Sequence, residues 1–320
     1  MPERLDNKLK SWGRALCRWY LSKFPLRDGK VFIYDHLHQS LMPSDRLVTA
    51  ALDPGFRMRL DLGDAEQRKI YFFGHYHERY EAALVARVLR PGEVFWDVGA
   101  NIGYFSLVAA AAVGEQGEVA AFEPGSAALA RLQENASLNP DRKIRIFNVA
   151  VAASDGEAVL YSHPEIADSN ASLYAGAAGG AGGETCATVA LDGFLEKEGL
   201  RPPDCIKLDV EGAELAALQG AAAILADFRP LLLVEMEEKN LQAAGASRAA
   251  IQAFLRGYGY RAAHLRKGRW LLLDDVHNTR GRNLFWFDPG VARHRQAAAA
   301  AGLEPFSRIL HKDANKWGNA

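Results

Sequence analysis

The chain has 320 residues, of which 49% are hydrophobic and 24% carry a charge. This length and composition are typical of a globular protein with a full core, and they exclude a globally disordered chain. The formal net charge of −1 argues against a protein that binds nucleic acid through its overall charge, so no nucleic-acid partner is predicted.

The charge is unevenly distributed along the chain. Residues 1–27 contain seven basic and two acidic side chains, a net charge of +5, so the rest of the chain sums to −6. The basic residues are Arg4, Lys8, Lys10, Arg14, Arg18, Lys23 and Arg27. The chain therefore begins with a segment that is distinctly more basic than residues 28–320.

This basic segment follows a helical pattern over about its first 25 residues. Trp12, Leu16, Trp19 and Tyr20 share one stripe, with basic residues around it. Such a stripe commonly packs onto the body of a protein or onto a second subunit, and this is our prediction for residues 1–27. Contact with an anionic membrane surface is the alternative that the basic rim leaves open.

Cysteine usage and hydropathy bear on the compartment. Cys17, Cys186 and Cys205 lie far apart and form no C-x-x-C pair, as is usual in a reducing compartment. The opening segment is too polar for a signal-peptide core, and no apolar run approaches the roughly 20 residues that cross a bilayer. We therefore predict a soluble, cytoplasmic protein.

Three segments can be distinguished along the chain. Residues 1–75 combine the basic helix with short runs typical of β-structure, and residues 291–320 form a predicted C-terminal helix and tail. The β-like runs are Val31–Tyr34, Phe56–Leu60 and Lys69–Phe73. The segment between, residues 76–290, is the predicted main domain, and it opens with a helix over Glu78–Leu89.

From residue 93 onward, strand and helix patterns alternate. The predicted strands are Val94–Val98, Val119–Phe122, Ile144–Val149, Cys205–Val210 and Leu231–Glu235. The predicted helices are Ile102–Val113, Gly125–Leu138 and Ala213–Leu225. Near-continuous apolar strands joined by helices are typical of a parallel sheet that is buried on both faces. We therefore predict an α/β fold with a doubly wound, Rossmann-like sheet.

One segment interrupts this alternation. Ala175–Gly183 contains only alanine and glycine, which predicts a flexible surface loop. A mobile cover over an active site is the alternative. The nearby run Ser169–Leu173 is either a plain turn or a set of small polar residues that line an acceptor pocket.

The strongest chemical signal comes directly after the first buried strand, in the run from Asp97 to Tyr104. Gly99 allows a sharp turn and a close approach to a ligand, and Gly103 allows the following helix to pack against the strand. The spacing does not fit a nicotinamide fingerprint or a phosphate loop. Asp97 would repel a pyrophosphate but could pair with an ammonium group, such as that of S-adenosylmethionine (SAM).

A second acidic residue, Glu123, ends the next predicted strand and is followed by Pro124. A carboxylate at this place in such folds hydrogen-bonds ribose hydroxyls. We therefore predict that Glu123 binds the ribose of the cofactor.

A third signal lies at the end of the fourth predicted strand. Lys207, Asp209 and Glu211 alternate with apolar residues, so they share one face. A lysine inside a buried strand needs a partner, and Asp209 is the natural one. Perturbed titratable groups at a sheet edge favour a catalytic site, whereas a purely structural ion pair is the alternative.

Two histidine pairs, His36 with His38 and His75 with His77, resemble partial metal sites. Neither pair comes with a full set of three or four ligands. We therefore predict no metal site.

Together these motifs resemble the FkbM family of SAM-dependent methyltransferases. The resemblance is carried by the runs that start at Asp97, Phe122, Asn148 and Ile206, by Tyr80-Glu81 upstream, and by Val189-Ala-Leu-Asp. It covers roughly residues 70–290.

The resemblance implies a mostly parallel, seven-stranded class I methyltransferase sheet. It also implies SAM as the cofactor, with methyl transfer mainly to hydroxyl groups of sugars, glycans or other natural products. The cofactor-binding residues that carry over are Glu81, Asp97, Gly99, Ala100, Asn101, Gly103, Tyr104, Glu123, Pro124, Asn148, Val149 and Asp209. Asn148 and Val149 would flank the adenine, and Asp209 would lie closest to the transferred methyl group.

We therefore expect a SAM-dependent O-methyltransferase that acts on a small-molecule or glycan acceptor. Asp209 is the predicted base or orienting group, and Lys207 and Glu211 are predicted to tune it. A non-catalytic SAM-binding scaffold and a nicotinamide-dependent oxidoreductase are the rival interpretations.

Overall fold

A computed structural model describes residues 2–24, 29–53, 55–76, 78–162, 171–178, 182–266 and 269–303. The described chain divides into two compact units. The first contains the residues up to Arg79 together with Ser137–Asn139, and the second contains Tyr80–Ala136 and the residues from Pro140 onward. The predicted boundaries at residues 75 and 290 stay predictions.

The first unit is built from three helices and a β-hairpin. Its elements are α1 (Pro2–Lys23), α2 (Lys30–Leu37), β1 (Leu47–Leu52), β2 (Phe56–Asp61) and α3 (Ala65–Phe73). The two strands are antiparallel, with Leu47 opposite Asp61 and Leu52 opposite Phe56. Met58 and Leu60 of β2 are fully buried, so the hairpin supplies one wall of this unit's core.

Two predictions for this unit are wrong. Val31–Tyr34 and Lys69–Phe73 lie in helices α2 and α3, not in strands. The side chain of Asp64 caps α3 by accepting from the backbone amide of Gln67 at 2.8 Å, and Gly74 ends the helix in a left-handed conformation. Short apolar runs do not distinguish a strand from a buried helix segment, which explains both errors.

Helix α1 contacts its own unit through a different face from the one that the sequence suggested. Cys17 and Leu21 are buried, whereas Trp12 and Leu16 are 79% and 66% exposed. The prediction that the tryptophan stripe packs onto the body of the chain is therefore wrong for Trp12, Leu16 and Trp19, whereas packing onto a second subunit stays a prediction. The stripe points away from the residues that hold the helix in place.

The second unit contains an eight-stranded sheet and a small three-stranded one. The strands are β3 (Val94–Val98), β4 (Glu118–Phe122), β5 (Ile144–Phe147), β6 (Ala150–Val151), β7 (Gly156–Ser162), β8 (Gly182–Val189), β9 (Cys205–Leu208), β10 (Leu231–Glu235), β11 (Arg261–Arg266), β12 (Arg269–Leu273) and β13 (Asn283–Phe287). The large sheet has the order β12-β11-β13-β10-β9-β3-β4-β5, and the small sheet has the order β6-β8-β7.

Six of the eight strands of the large sheet point the same way. Strands β5, β4, β3, β9 and β10 are parallel neighbours. Strand β13 runs against β10, and β11 in turn runs against β13. This is the predicted class I methyltransferase sheet, and β12 adds an eighth strand as the hairpin partner of β11.

The helices of the second unit flank these strands. They are α4 (Arg79–Val88), α5 (Tyr104–Val113), α6 (Ser126–Ser137), α7 (Ala175–Ala178), α8 (Leu191–Lys197), α9 (Glu214–Gln219), α10 (Ala222–Asp227), α11 (Glu238–Ala243), α12 (Arg248–Gly257), a 3-10 turn (Val276–Asn278) and α13 (Ala292–Ala300). The predicted helix Ala213–Leu225 is split in two at Gly220, where a Cβ atom would lie 2.1 Å from the Ala152 carbonyl oxygen.

The alanine–glycine segment is more regular than predicted. Ala175–Ala178 forms α7, and the segment's last residues belong to β8, which pairs antiparallel with β7. Its central residues 179–181, like Ser169, Asn170, His77 and the tail from residue 304, lie outside the described residues. The prediction of a flexible loop is wrong for the two described ends.

The core of the second unit lies along the central strands. All five residues of β3 and all five of β10 are buried. Trp96 and Trp286 are among the largest fully buried side chains. Strands buried on both faces by flanking helices explain the near-continuous apolar runs in the sequence.

Candidate active site

The predicted site residues cluster at the carboxyl edge of the large sheet. Val98 at the end of β3 is paired with Phe122 of β4 and with Leu208 of β9, and Leu208 is paired with Val234 of β10. The loops that leave these strands therefore begin side by side. In open α/β sheets, ligands bind at this edge.

The glycine turn after β3 is packed against the loop after β9. Gly99 has a φ of +81°, and a Cβ atom there would lie 1.8 Å from the backbone oxygen of Asp209. The amides of Gly99 and Ala100 both donate to the Phe122 carbonyl oxygen, each at 3.0 Å. No residue with a side chain fits at position 99 without moving one of these loops.

Gly103 allows close packing of a different kind from the one predicted. Its φ is +88°, and a Cβ atom there would lie 2.5 Å from Cδ1 of Leu132 on α6. The glycine therefore makes room for a neighbouring helix, not for the strand. Tyr104, the first residue of α5, is buried, and its ring lies edge-on to Phe105.

Glu123 holds two loops through backbone amides. Its Oε2 atom accepts from Asn101 at 2.7 Å, and its Oε1 atom accepts from Gly125 at 2.9 Å. The side chain is 6% exposed, and burial raises its pKa to about 7 against the lowering effect of these two amides. Each carboxylate oxygen has a further lone pair, so Glu123 can bind a ribose hydroxyl while it holds the loops.

Asn148 fixes the same loop from the other side. Its Nδ2 atom donates to the carbonyl oxygens of Glu123 and Pro124, at 3.1 and 3.0 Å. Val149 is half-buried and packs against the main core. The structure therefore brings this predicted adenine pair next to the predicted ribose ligand. Glu81 is half-buried in the first turn of α4, and its role stays a prediction.

Asp97 is fully buried behind the glycine turn. Its Oδ2 atom accepts from the Ser106 hydroxyl at 2.6 Å, whereas Oδ1 has no hydrogen-bond partner among the described residues. Burial raises the pKa of Asp97, against the lowering effect of the nearby Lys207 charge. A buried carboxylate oxygen without a donor is costly, and an ammonium group is a donor that would satisfy it. The residues at this edge therefore fit the amino-acid end, as well as the ribose, of SAM.

Four charged side chains form a cluster at the ends of β9 and β10, which we call the acidic cluster: Lys207, Asp209, Glu211 and Glu235. Nζ of Lys207 donates to Oδ2 of Asp209 at 2.8 Å, as the sequence predicted. Carboxylate oxygens of the three acids lie within 4.8 Å of one another. Lys207 is 4% exposed and Asp209 is 25% exposed, so solvent reaches the cluster from the aspartate side.

The two acids that come after β9 differ in proton affinity. Burial alone would raise the pKa of Asp209, but the Lys207 charge and hydrogen bonds with Glu235 and Lys207 outweigh it, so the pKa is lowered. Burial, followed by the charges of Asp209 and Glu214, raises the pKa of Glu211 to about 8. Glu211 is therefore the acid of this pair that holds a proton near neutral pH.

The turn that carries Glu211 is strained and firmly held. Glu211 has a φ of +50°, which is uncommon for a residue with a side chain, and such strain concentrates at functional sites. The buried Glu214 carboxylate accepts from the amides of Val210 and Gly212 at 3.1 to 3.2 Å. The Ser172 hydroxyl donates to the Glu211 carbonyl oxygen at 2.6 Å. One small polar residue of the run before α7, Ser172, thus reaches this turn.

Sequence reasoning missed four side chains of this region. Glu235 ends β10 at the same sheet edge, Asn240 donates to Oε2 of Glu211, and Glu214 anchors the turn. An acidic residue at the end of an apolar strand was the available signal for Glu235. Arg282, whose Nη1 atom lies 3.9 Å from Oε1 of Glu235, carried no sequence signal.

Three of the four paired histidines, His36, His38 and His75, contact backbone oxygens near them in the chain, and His77 lies outside the described residues. The His36 and His38 rings contact the carbonyl oxygens of Phe32 and Tyr34 within their own helix, at 2.8 Å. His75 contacts the Tyr76 carbonyl oxygen, and burial lowers its pKa. All of these residues belong to the first unit.

The mostly parallel sheet, the glycine turn and the acidic strand ends are the features of a class I methyltransferase fold. A model of the family described as "Methyltransferase FkbM domain" matches residues 97–262, just over half of the chain. The chain belongs to the FkbM methyltransferase family. This confirms the predicted family, which is one of methyltransferases, and SAM as that family's cofactor.

Several known proteins are similar to this chain. It is 30% identical over 137 residues to the hexuronic acid methyltransferase AglP of Haloferax volcanii. The aligned region covers 43% of this chain and 53% of AglP. It is 28% identical over 211 residues to the AMB antimetabolite synthetase AmbE of Pseudomonas aeruginosa. That aligned region covers 55% of this chain and 10% of AmbE. The chain thus spans about half of one relative and a tenth of the other.

Among solved structures, the FkbM methyltransferase of Methylobacillus flagellatus KT is similar at 16% identity. The TM-score is 0.42, and the match covers 69% of this chain and 54% of that chain. Among the described residues, no helix is both long and apolar enough to cross a membrane.

Proposed function

We propose that this protein is a SAM-dependent O-methyltransferase whose acceptor is a neutral hydroxyl group of a sugar or a related natural product. The observation that carries the proposal is the acidic cluster beside the glycine turn, in which one carboxylate has a pKa of about 8. The similarity to a hexuronic acid methyltransferase supports a sugar acceptor.

SAM supplies, when bound, an electrophilic methyl group on a positively charged sulfur. The chain's own task is to position a hydroxyl oxygen and to take its proton. A base works best when its pKa lies near the working pH. Glu211 meets this condition, whereas Asp209 is held as an anion by Lys207. We therefore assign the proton-accepting role to Glu211 and an orienting role to Asp209, which revises the sequence-based assignment.

The charge of the cluster favours a neutral acceptor over an anionic one. Three carboxylates are accompanied by Lys207 and by Arg282, so a third positive charge, a proton, balances the group. A carboxylate acceptor would be repelled here, and it needs no base. A hydroxyl group needs a base and brings no charge.

The test is methyl transfer by the full-length protein to a panel of neutral sugars and uronic acids, followed as release of the demethylated cofactor. We expect turnover with neutral sugars only. In Glu211→Gln, turnover should fall roughly 10²- to 10⁴-fold while SAM affinity, measured by calorimetry, stays unchanged. Glu157→Gln, at an exposed glutamate of β7, is the matched control and should keep full activity.

The pH profile separates the two acids. With Glu211 as base, kcat/KM rises with pH up to about 8 and then levels, because the carboxylate form is the active one. Asp209→Asn should lower the plateau and keep a rise with pH, whereas Glu211→Gln should remove the rise. Full turnover by Glu211→Gln with intact SAM affinity would overturn the base assignment.

A cytoplasmic site of action is part of this proposal. Cys17, Cys186 and Cys205 are all free and buried, which supports a reducing compartment.

A further inference from the structure

Helix α1 carries an exposed apolar stripe, formed by Leu9, Trp12, Leu16 and Trp19. These side chains are 65%, 79%, 66% and 52% exposed. Their spacing of three and four residues places them on one side of the helix. Solvent-exposed tryptophan and leucine in a continuous row indicate a surface that binds something.

The opposite side of α1 fixes the helix to the first unit. Cys17 and Leu21 are buried, and Nε of Arg18 donates to the Tyr71 carbonyl oxygen at 2.9 Å. At the end of the helix, Lys23 pairs with Asp53. The Arg18 guanidinium also lies 4.1 Å from the centre of the Tyr71 ring. The stripe is therefore presented outward by a helix that is already anchored.

We propose that the stripe docks onto the surface of an anionic lipid bilayer. Pro2–Lys23 contains six basic and two acidic residues, a net charge of +4, so its charge is complementary to acidic headgroups. Tryptophan is enriched at the membrane–water interface, where the ring lies at headgroup level. A basic helix with tryptophan and leucine on one face is the composition of interfacial helices.

The length and composition of α1 fit a helix that lies in the membrane plane. Its 22 residues extend over about 33 Å at 1.5 Å per residue. Its net charge excludes insertion across the bilayer, and only the stripe side is apolar. The four stripe side chains are spread over three turns, which lets all of them enter the headgroup region together.

A second copy of the chain fits this surface less well. The four exposed side chains offer on the order of 500 Å², below the roughly 800 Å² that each partner buries in a stable interface. A two-fold dimer would also place the same surface of both copies in contact. Two helices of charge +4 would then face each other and repel.

The test is co-sedimentation of the full-length protein with vesicles of phosphatidylcholine alone and of phosphatidylcholine mixed with phosphatidylglycerol. We expect sedimentation with the anionic vesicles and its loss at high salt, since salt screens the attraction. The double variant Trp12→Ser/Leu16→Ser should bind about tenfold more weakly. Phe228→Ser, which removes a 48% exposed aromatic residue from the second unit, is the control and should bind as the wild type.

Other outcomes overturn the proposal. Failure of the wild type to bind anionic vesicles at low salt, or equal binding by the double variant, rules out the stripe as a lipid surface. A lipid-free dimer in sedimentation equilibrium that the double variant loses assigns the stripe to a second copy. Thermal unfolding and SAM titration of the double variant should match the wild type, so a folding defect or a failed cofactor assignment is distinguishable from lost docking.

Discussion

Two glutamates at the same sheet edge, Glu123 after β4 and Glu211 after β9, are held in opposite ways. Glu123 is buried and Glu211 is half-buried, and both have a raised pKa, about 7 and about 8. Glu123 accepts from the backbone amides of Asn101 and Gly125. Glu211 is held through its side chain by Asn240 and lies among other carboxylates. Backbone amides only donate, so they favour an ionised acceptor, whereas neighbouring acids favour a proton on Glu211.

The difference shows how one residue type serves two purposes. A carboxylate that anchors two loops works as a fixed acceptor for a ligand, because its position is set by the backbone. A carboxylate surrounded by like charges works as a site that gains and loses a proton. The proposed cofactor side of the sheet edge therefore depends on backbone hydrogen bonds, and the proposed acceptor side depends on interactions between charges.

The largest expected effect on stability comes from a substitution of Gly99, since the turn that it forms contacts both the end of β4 and the loop after β9. Gly99→Ala places a Cβ atom against the Asp209 backbone oxygen at a positive φ, and we expect a loss of stability of about 3 kcal/mol or more. Urea unfolding measures this. Gly193→Ala, at an exposed position of helix α8 with nothing within 4 Å, should leave stability unchanged or raise it by up to about 1 kcal/mol. Equal stability of the two variants would contradict the loop contact.

The next effect separates the two glutamates directly. Glu123→Ala leaves the amides of Asn101 and Gly125 without their acceptor, which costs about 1–3 kcal/mol for each buried amide. Calorimetry should show SAM affinity falling about tenfold or more, whereas the pH at which turnover levels off stays the same. A shifted pH profile with normal SAM affinity would reverse the roles of the two residues.

The pH dependence of stability sharpens the comparison. Burial raises the pKa of Glu214 to about 7 from its ordinary 4.5, so the folded state keeps a proton that the unfolded chain loses. Stability is therefore full below pH 4.5, falls as pH rises toward 7, and is constant above. The loss is about 3 kcal/mol for this group.

Glu214→Gln tests this directly, because a neutral side chain cannot titrate. Its amide oxygen can still accept from Val210 and Gly212, so the turn should keep its shape. We expect a flatter curve of unfolding free energy between pH 4.5 and 7, with the variant more stable than the wild type above pH 7. An unchanged curve would show that Glu214 titrates in the folded protein as it does in the unfolded chain.

The smallest effect concerns the support of the strained turn. Ser172→Ala removes one hydrogen bond to the Glu211 carbonyl oxygen, worth about 1 kcal/mol. We expect a fall of only a few-fold in kcat and little change in SAM affinity. Thr188→Ala removes a comparable hydroxyl contact, to Ser154, within the same unit and should leave kcat unchanged. An equal change in kcat in the two variants would show that the turn does not depend on the Ser172 hydrogen bond.

Much of the second unit could be predicted from the sequence. Strands Val94–Val98 and Leu231–Glu235 are confirmed to the residue, because each is a near-continuous apolar run within a regular alternation of strand and helix patterns. The first unit was harder, since Val31–Tyr34 and Lys69–Phe73 are short runs whose helical state depends on capping and tertiary packing.

The site residues show a similar limit. The ion pair between Lys207 and Asp209 was predictable from their alternation along one strand. The proton affinity of Glu211 was not, because it depends first on burial, which the sequence does not show, and only then on the charges of Asp209 and Glu214. Glu235 comes from another strand, and only the order of strands in the sheet places it beside Asp209.

The contact of Gly99 with the Asp209 carbonyl oxygen has a consequence for kinetics. A displacement of the glycine turn when SAM enters must be transmitted to the loop that carries Asp209, because no space separates the two. The acceptor would then meet a finished pocket only after SAM has bound. We expect an ordered sequence of addition, with SAM first, so the demethylated cofactor should inhibit competitively against SAM and non-competitively against the acceptor.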